Sequence, residues 1–392
     1  MLLGQLHIRD FRNVQVLSYR PHRRFNVIFG DNGQGKTNLI EAIFLLATQR
    51  SFRTARIDEL VRFGTNQAEI VADISHADVE RRLSLQILTK PNRKQAFVDG
   101  KTVRQTDYFD GVHVVLFAPD DLHLPKDAPE SRRRFLDRAI WNTNSAYLDE
   151  VREYQQVLKN RNAVLRSQNF SVENRENRTQ VGPSEDVFGN RPEALLAVYT
   201  EQLACLGARL VKRRSEYLSA IASQLQASFE NISRSGHFAE LVYKPKLSAK
   251  KAQIQQATVD ELTKLLLTQL DHDKSKDEQR GFTHSGPHGD DIVFMLDGRE
   301  AASHASQGQI RAVLLALKIT EIQHLLTVRG TPPILLLDDV SSELDERRNS
   351  HLFDFLRSMP SQVFITTTSP KFVQLEHERQ DVCIQNGKFL DG

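Results

Sequence analysis

Gly30-Asp31-Asn32-Gly33-Gln34-Gly35-Lys36-Thr37 fits G-x-x-x-x-G-K-[ST], the phosphate-binding P-loop. The stretch before it, Phe25-Asn26-Val27-Ile28-Phe29, is apolar and β-branched, as a buried strand requires. The stretch after it, Asn38 to Ala47, reads as a helix with an apolar face. Strand, glycine loop and helix stand in the order the chemistry needs. The glycines let backbone N–H groups curl around an anion, and the helix N-terminus adds a partial positive charge. Lys36 is expected to reach the β and γ phosphates of a nucleoside triphosphate, and the Thr37 hydroxyl to bind Mg²⁺.

Working outward, the 392 residues exceed one small core and predict two or three domains. Hydrophobic residues make up 40% and charged residues 26%, an ordinary globular composition. The net charge of +2 argues neither for nor against a polyanionic partner, so a nucleic-acid reading must rest on local clusters. Two cysteines, Cys205 and Cys383, make no disulfide framework, and a reducing cytoplasm is expected. The N-terminus alternates like a strand and lacks the apolar core of a signal peptide. No apolar run approaches the roughly 18 residues of a membrane span.

The first 118 residues read as mixed α/β, with strands at Leu2–Ile8, Phe25–Phe29, Glu69–Ile74, Leu83–Leu88 and His113–Phe117. Asp99-Gly100 predicts a hairpin between Gln95–Val98 and Lys101–Arg104. From Ser131 the period becomes helical, carried by Leu148, Val151, Tyr154, Leu158 and Leu165. Leu203 to Leu225 and Leu262 to Leu270 continue it. These are read as three long helices, forming either a helical lobe with a short coiled-coil hairpin or helices packed on the main domain. Ser171–Glu193 is polar and reads as a flexible insertion. From Gly281 the α/β pattern returns, with strands at Asp291–Leu296, Ile334–Leu337 and Val363–Thr366 and a helix at Ile310–Leu326. The expected layout is therefore a head built from 1–130 and 281–392, with a helical lobe at 131–280.

Pro333-Ile334-Leu335-Leu336-Leu337-Asp338-Asp339 is an apolar run ending in two carboxylates. A buried strand that ends this way delivers a carboxylate to Mg²⁺ at the ligand-binding edge of an open sheet. Asp338 is the expected metal-side group, and Asp339 the general base that polarises an attacking water. Upstream, Ser306-Gln307-Gly308-Gln309 opens a helix, where hydroxyl, glycine amide and helix dipole together suit a phosphate. An N-cap alone would account for Ser306 but not for the order S-x-G-Q, helix, apolar strand, D-D, then Ser341-Ser342-Glu343-Leu344-Asp345.

That order resembles the ABC-type ATPase heads of the SMC and recombination ATPases, with S-x-G-Q as signature loop and Ser341 to Asp345 as D-loop. Phe11-Arg12-Asn13, Gly30–Asn38, Arg50-Ser51-Phe52-Arg53-Thr54, Arg132-Arg133-Arg134-Phe135-Leu136-Asp137, Gly286-Pro287-His288-Gly289-Asp290-Asp291 and Leu336 to Val340 narrow it. Together they resemble the bacterial RecF family over most of the chain. The resemblance implies an α/β, ABC-type P-loop ATPase head with an inserted helical lobe. It implies ATP and Mg²⁺ as cofactors, with residues 30–37, Ser306, Gly308 and Gln309 around the nucleotide; Arg12, just past the first strand, either lies near the nucleotide as in similar heads or sits in a solvated turn. It also implies an ATP-dependent homodimer on DNA, in which Ser306 reaches the γ-phosphate of the opposite subunit. RecR and RecO are implied partners in helping RecA load and in supporting the SOS response. Two departures stand out. Gly289 occupies a place where the family carries a basic residue, and the insertion is longer than usual. The absence of a histidine at Thr366-Thr367-Thr368, where transporter ATPases carry a switch His, agrees with the family.

Arg20, Arg23 and Arg24 before the P-loop helix, and Arg50, Arg53 and Arg56 after it, make this half locally basic. They serve either DNA phosphates or solvent. Arg132 to Arg134 serve either DNA or ion pairs. No series of aromatic residues interleaves with these arginines as a stacking platform needs, Phe52 alone falling between Arg50 and Arg53, so any DNA contact is expected to be backbone-driven and salt-sensitive. Asp120-Asp121 follows the strand His113–Phe117, where transporter ATPases carry a glutamine-centred loop and no Gln stands here; it reads as a loop cap or a metal contact, and Trp141 as core. His288 with Asp290 and Asp291 lacks zinc-like spacing. A transport-coupled ABC subunit is the alternative, disfavoured by the long insertion, the missing glutamine loop and the missing histidine. A P-loop metabolic kinase would have no use for Ser306–Gln309.

Overall fold

The computed structural model describes residues 1–76, 79–103, 108, 112–176, 191–248, 251–339 and 344–390, with side chains left aside at 168–176, 191–192 and 251–252. It divides into two compact units. The first comprises Met1–Leu124, Gln224–Ala239 and Ala301–Gly392, and the second Pro125–Ser223 and Glu240–Glu300. Residues 281–300, expected in the head, thus fall in the second unit, and 224–239, expected in the lobe, fall in the first.

The first unit holds two sheets. One is largely parallel, in the order β15 (Lys388–Phe389), β14 (Arg379–Gln385), β3 (Phe25–Phe29), β13 (Val363–Thr367), β12 (Ile334–Asp338), β8 (Val114–Phe117). Strands β8, β12 and β13 are buried along their whole length. This is why they read as unbroken apolar runs rather than as alternation. The other sheet is antiparallel, in the order β2 (Val14–Tyr19), β1 (Leu2–Phe11), β4 (Gln67–His76), β5 (Val79–Leu88), β6 (Arg93–Val98), β7 (Lys101–Thr102). Its β4 alternates between buried and partly exposed positions, as a sheet with one covered face does. Phe97 pairs with Thr102 and Val98 with Lys101 around Asp99-Gly100, the hairpin the sequence predicts, although Arg104 lies outside the described residues.

Helix α1 (Lys36–Thr48) packs against β12 and β13 of one sheet and against β1, β4 and β5 of the other. Eleven of its 13 residues are buried, so it is a core helix covered on more than one side rather than a helix with a single apolar face. Its C-terminal carbonyls receive the Tyr108 hydroxyl at Leu46 (2.7 Å) and the Lys94 ammonium at Gln49 (2.7 Å).

The second unit contains α2 (Pro129–Thr143), α3 (Ala146–Glu176), most of α4 (Arg191–Ser233), α5 (Lys251–Gln256), α6 (Val259–His272) and α7 (Lys274–Arg280). It also holds the small sheet β11 (Arg299–Glu300), β10 (Asp291–Leu296), β9 (Ala239–Lys244). Glu150 faces Arg213, Tyr154 lies against the Gly207 position, and Arg161 binds Thr200. As α3 advances, α4 therefore returns, and the two form an antiparallel helix pair. The third expected helix, α6, is only 14 residues long. Residues 177–190, most of the expected insertion, lie outside the described residues.

One segment, Glu193–Ser233 of α4, is long and apolar enough to cross a membrane by length and composition, contrary to the expectation that no run came close. Leu196, Leu203, Ala204, Ala208 and Val211 on it are buried, although only 39% of its most apolar window is.

Candidate nucleotide site

The P-loop forms where β3 runs into α1. Gly30 takes φ +151°, and a Cβ there would lie 2.4 Å from the Ile384 carbonyl oxygen of the neighbouring β14. Gly35, at φ +113°, caps α1 with its next contact at Asn13. Neither position tolerates a side chain.

Lys36 extends over this loop. Its Nζ donates to the carbonyls of Gly30 (2.6 Å) and Asp31 (2.9 Å) and lies 3.5 Å from Asn32 Oδ1. Burial lowers its pKa, and the carboxylates of Asp339, Asp338 and Asp31 oppose that shift. Thr37 Oγ1 donates to Asp338 Oδ1 at 3.0 Å, joining residues 301 positions apart. Burial raises the Asp338 pKa, opposed by hydrogen bonds from Thr366 and Thr37, while Asp339 beside it adds to the rise. Asp339 is the first residue past β12, held at a left-handed φ of +49°.

Gln34 faces away from the loop's mouth. Its side-chain oxygen accepts from the Asn386 N–H (2.8 Å) and its carbonyl from the Gly387 N–H (2.8 Å) and from Asn13 Nδ2 (3.2 Å). The β14–β15 turn thus closes on the P-loop from behind. Nothing in the letters of the motif signals this partner.

Arg12 sits in the β1–β2 turn at φ +54°. Its guanidinium grips Glu41 of α1 at 2.9 and 2.6 Å. Glu41 is fully buried and also accepts from Ser51 (2.5 Å) and Arg53 (3.2 Å), while Arg53 reaches Asn38 at 2.8 Å. Glu41, unremarked in the sequence, ties Arg12 and the basic loop after α1 to the P-loop helix.

The signature loop lies elsewhere in the unit. Ser306 caps α9 (Gln307–Arg329), after the short α8 (Ala301–His304). Ser306 Oγ accepts from Gln309 N–H (3.2 Å), and Gln309 Oε1 accepts from Ser306 N–H (2.8 Å). This reciprocal pair is a capping box. Ser306 and Gln307 are exposed. Gly308 leaves room for the Arg348 guanidinium, 3.2 Å from where its Cβ would stand. Helix α9 packs on β8, which β13 and β12 separate from the P-loop strand, roughly 14 Å at about 4.8 Å per strand. Among the described residues no hydrogen bond joins 306–309 to 30–37. The D-loop residues Ser341 to Glu343 lie outside the described residues. Asp345 caps α10 (Glu346–Ser358) by accepting from Arg348 N–H at 2.9 Å.

Several motif residues turn out to be architectural. Arg132 pairs bidentately with Asp291 (2.8 and 2.8 Å), and Arg133 donates to the Asp290 carbonyl (2.5 Å). Arg214, buried, bridges Asp137 (3.0 and 3.1 Å) and Asp290 (2.9 Å). His288 is held between Tyr154 (2.6 Å) and the Thr283 carbonyl (3.0 Å), and no group of potential metal ligands forms among the described residues. The space beside Gly289 is taken by Lys246, whose side chain lies 3.0 Å from where a Cβ would stand. Asp121 rather than Asp120 is the engaged member of its pair, accepting from Ala118 N–H (3.2 Å) and facing Lys318 of α9 (3.2 Å).

The family model described as the RecF/RecN/SMC N-terminal domain matches residues 2–389. The protein called DNA replication and repair protein RecF from Anaeromyxobacter sp. (strain Fw109-5) is 41% identical over 376 residues, covering 95% of this chain and 94% of the relative. The protein of the same description from Geobacter sp. (strain M21) is 37% identical over 394 residues, covering both chains completely. Among solved structures, the recombination mediator protein RecF with ATP, of the RecFOR pathway, superposes with a TM-score of 0.85 at 28% identity. It covers 99% of this chain and 98% of that one. An SMC head bound to the C-terminal winged-helix domain of ScpA matches at a TM-score of 0.52 and 14% identity, a likeness of fold alone. The fold is that of an ABC-type ATPase head, and the chain belongs to the RecF family.

Proposed function

We propose that the chain is an ATP-gated DNA-binding protein of recombinational repair and replication, in which nucleotide joins two copies of the head. The observation that carries this reading is the Thr37–Asp338 contact made while Ser306 faces solvent. The two halves proposed for one phosphate site meet within one chain, and the Ser306 helix start is left facing outward, toward a second copy. The relatives' shared description as DNA replication and repair proteins supports the setting. It does not favour a membrane-transport subunit.

The donor set fits a magnesium nucleotide. The Thr37 hydroxyl and the Asp338 carboxylate are hard oxygen donors of the kind Mg²⁺ selects, and Lys36 is already turned over the loop's mouth. When bound, Mg²⁺ supplies neutralisation of charge on the phosphate oxygens. Backbone N–H groups of 30–37 and Lys36 hold the β and γ phosphates. Asp339 accepts the proton of the attacking water, making the chain a slow ATPase whose product is a conformation. Arg12 reaches the nucleotide by releasing Glu41. Ser306, Gly308 and Gln309 contact the γ-phosphate of the opposite subunit. DNA, in single-stranded, gapped or duplex form, is the polyanionic partner. RecR and RecO, named through the RecFOR pathway of the solved relative, are the proposed protein partners in helping RecA load and supporting the SOS response. The proposed compartment is the cytoplasm.

Light scattering with and without ATP tests the gate, with Lys36→Arg as control, and gel shifts on single-stranded, duplex and gapped DNA test the partner. ATP-dependent dimers that bind at least one DNA species are expected. No dimer with ATP, or no DNA bound in either state, refutes the proposal.

A further inference from the structure

We propose that Thr366 is a positioning residue that sets the two carboxylates at the end of β12 relative to one another through its single hydroxyl. The inference rests on the reading above, in which Asp338 serves the metal and Asp339 the water. It assigns the support of both groups to a residue on a different strand.

Strand β13 lies between the P-loop strand β3 and β12, and its register sets Thr366 opposite Asp338 on one side and Ile28 on the other. Thr366 is fully buried. Its Oγ1 lies 2.7 Å from Asp338 Oδ1 and accepts the Asp339 N–H at 2.9 Å. The Leu337 carbonyl stands farther off at 3.5 Å, so the hydroxyl proton has its best acceptor in Asp338. A hydroxyl has one proton to give and lone pairs to receive with. Here the proton orients the first carboxylate, and a lone pair anchors the backbone of the second. Asp339 needs that anchor, because a non-glycine residue at φ +49° is held there only by its surroundings.

Asp338 Oδ1 also receives the Thr37 hydroxyl. Once Thr37 turns to the metal, Thr366 is the hydroxyl left to fix the carboxylate's orientation. The β-branch contributes too, since in a strand it restricts the side chain to few rotamers. The neighbouring threonine is spent differently: Thr367 Oγ1 bonds the Ser369 backbone at 3.1 and 3.3 Å, and Thr368 is exposed. In a run of three threonines, only the first reaches the site.

Thr366→Val keeps the shape and removes the hydroxyl, whereas Thr366→Ser keeps the hydroxyl and removes a methyl. The full chain and both variants are compared by binding of a fluorescent ATP analogue titrated with Mg²⁺, by the same binding in EDTA, by ATP hydrolysis and by thermal melting. For Thr366→Val, the Mg²⁺ concentration at half-saturation is expected to rise about tenfold, and hydrolysis to fall about ten- to a hundredfold, because two hydrogen bonds are removed, one of them to a charged group. Binding in EDTA is expected to stay within about twofold. Thr366→Ser is expected to match the parent within about threefold on every readout. A valine variant with the parent's Mg²⁺ response overturns the inference, even if it melts lower. So does a serine variant that fails as the valine does, because the methyl and its packing would then be what matters. If the parent itself binds nucleotide without responding to Mg²⁺, the metal reading of Asp338 fails first and takes the inference with it.

Discussion

Replacing Arg214 with methionine should destabilise the second unit by about 3–5 kcal/mol, the cost of stripping one partner from a buried ion pair. The Arg214 side chain is 4% exposed. It donates to Asp137 at 3.0 and 3.1 Å, Tyr147 at 3.2 Å, Asp290 at 2.9 Å and the Pro287 carbonyl at 2.7 Å. The two carboxylates will not suffer equally. The Asp137 side chain is 25% exposed and can recruit water, while that of Asp290 is 1% exposed and cannot. Most of the loss should therefore come through Asp290, which keeps the Lys246 N–H (2.8 Å) and the Tyr243 hydroxyl but no cation on its carboxylate. The second variant, Asp290→Asn, retains an oxygen for those donors. Combining it with Arg214→Met should recover more than about 1 kcal/mol relative to additivity. Urea denaturation of all four proteins gives the cycle, and for a unit of this size the single loss corresponds to roughly 6–20 °C in Tm. A single-variant loss below about 1 kcal/mol, or additive effects, would refute the idea that Arg214 is the charge at the centre of this unit. Nucleotide binding, made by residues of the other unit, should change by less than about twofold.

Ser306→Arg should leave monomer affinity for an ATP analogue within about threefold and abolish the ATP-induced rise in light scattering; a dimer that persists would remove the signature loop from the interface. Arg20 and Arg23 are exposed, whereas Arg24 is bound to the carbonyls of Leu356 (3.3 Å), Arg357 (2.8 Å) and Ser361 (3.2 Å) near the end of α10. Arg20→Ala with Arg23→Ala should lower the salt slope of DNA binding by about one for each arginine that neutralises a phosphate, and Arg24→Ala or Arg132→Ala should lower stability with no change in slope. Burial lowers the His288 pKa below its ordinary 6.5, so its stabilising contribution is present above that value and is lost as pH falls toward the folded-state pKa. The parent should therefore lose up to about 1.4 kcal/mol more per pH unit than His288→Asn in melts below pH 6.5; equal slopes would mean that the Tyr154–His288–Thr283 arrangement is indifferent to protonation.

What the sequence made legible was whatever depends on local order. Strand β3 has the predicted ends, as does β10, and the run Ile334–Leu337 is β12 less its final Asp338. The P-loop could be read because its glycines, lysine and threonine are contiguous and each is demanded by one anion. The use of each arginine could not be read, since Arg23 in solvent and Arg132 in an ion pair are the same letter in similar basic company. What separates them is a carboxylate 159 positions away, Asp291, which only the fold brings near. Thr366 and Gln34 were hidden for the same reason. Their partners come from a neighbouring strand and a distant turn, and no spacing rule reaches across a sheet. The antiparallel helix pair was half legible: the period gave the helices, but their facing residues include Arg161, a buried cation bound to Asp277 (2.8 Å) and Thr283 (2.7 Å), which an apolar pattern skips.

The turn that closes behind Gln34 has a consequence for the birth of the protein. Strand β3 has β13 on one side and β14 on the other, so both neighbours of the P-loop strand come from residues 363–385. The Asn386–Gln34 bond spans 352 positions. At about 5–20 residues per second, a ribosome takes roughly 20–70 s to make that much chain. Until residue 363 emerges, which is most of that interval, the nascent P-loop strand has neither of its native partners and must avoid the wrong ones. A chain cut before residue 363 would carry every letter of the phosphate motif and still lack both flanking strands, so it should remain unable to hold nucleotide. Acquisition of ATP would then mark a molecule translated past β14, and the unliganded nascent chain would be the natural client of chaperones.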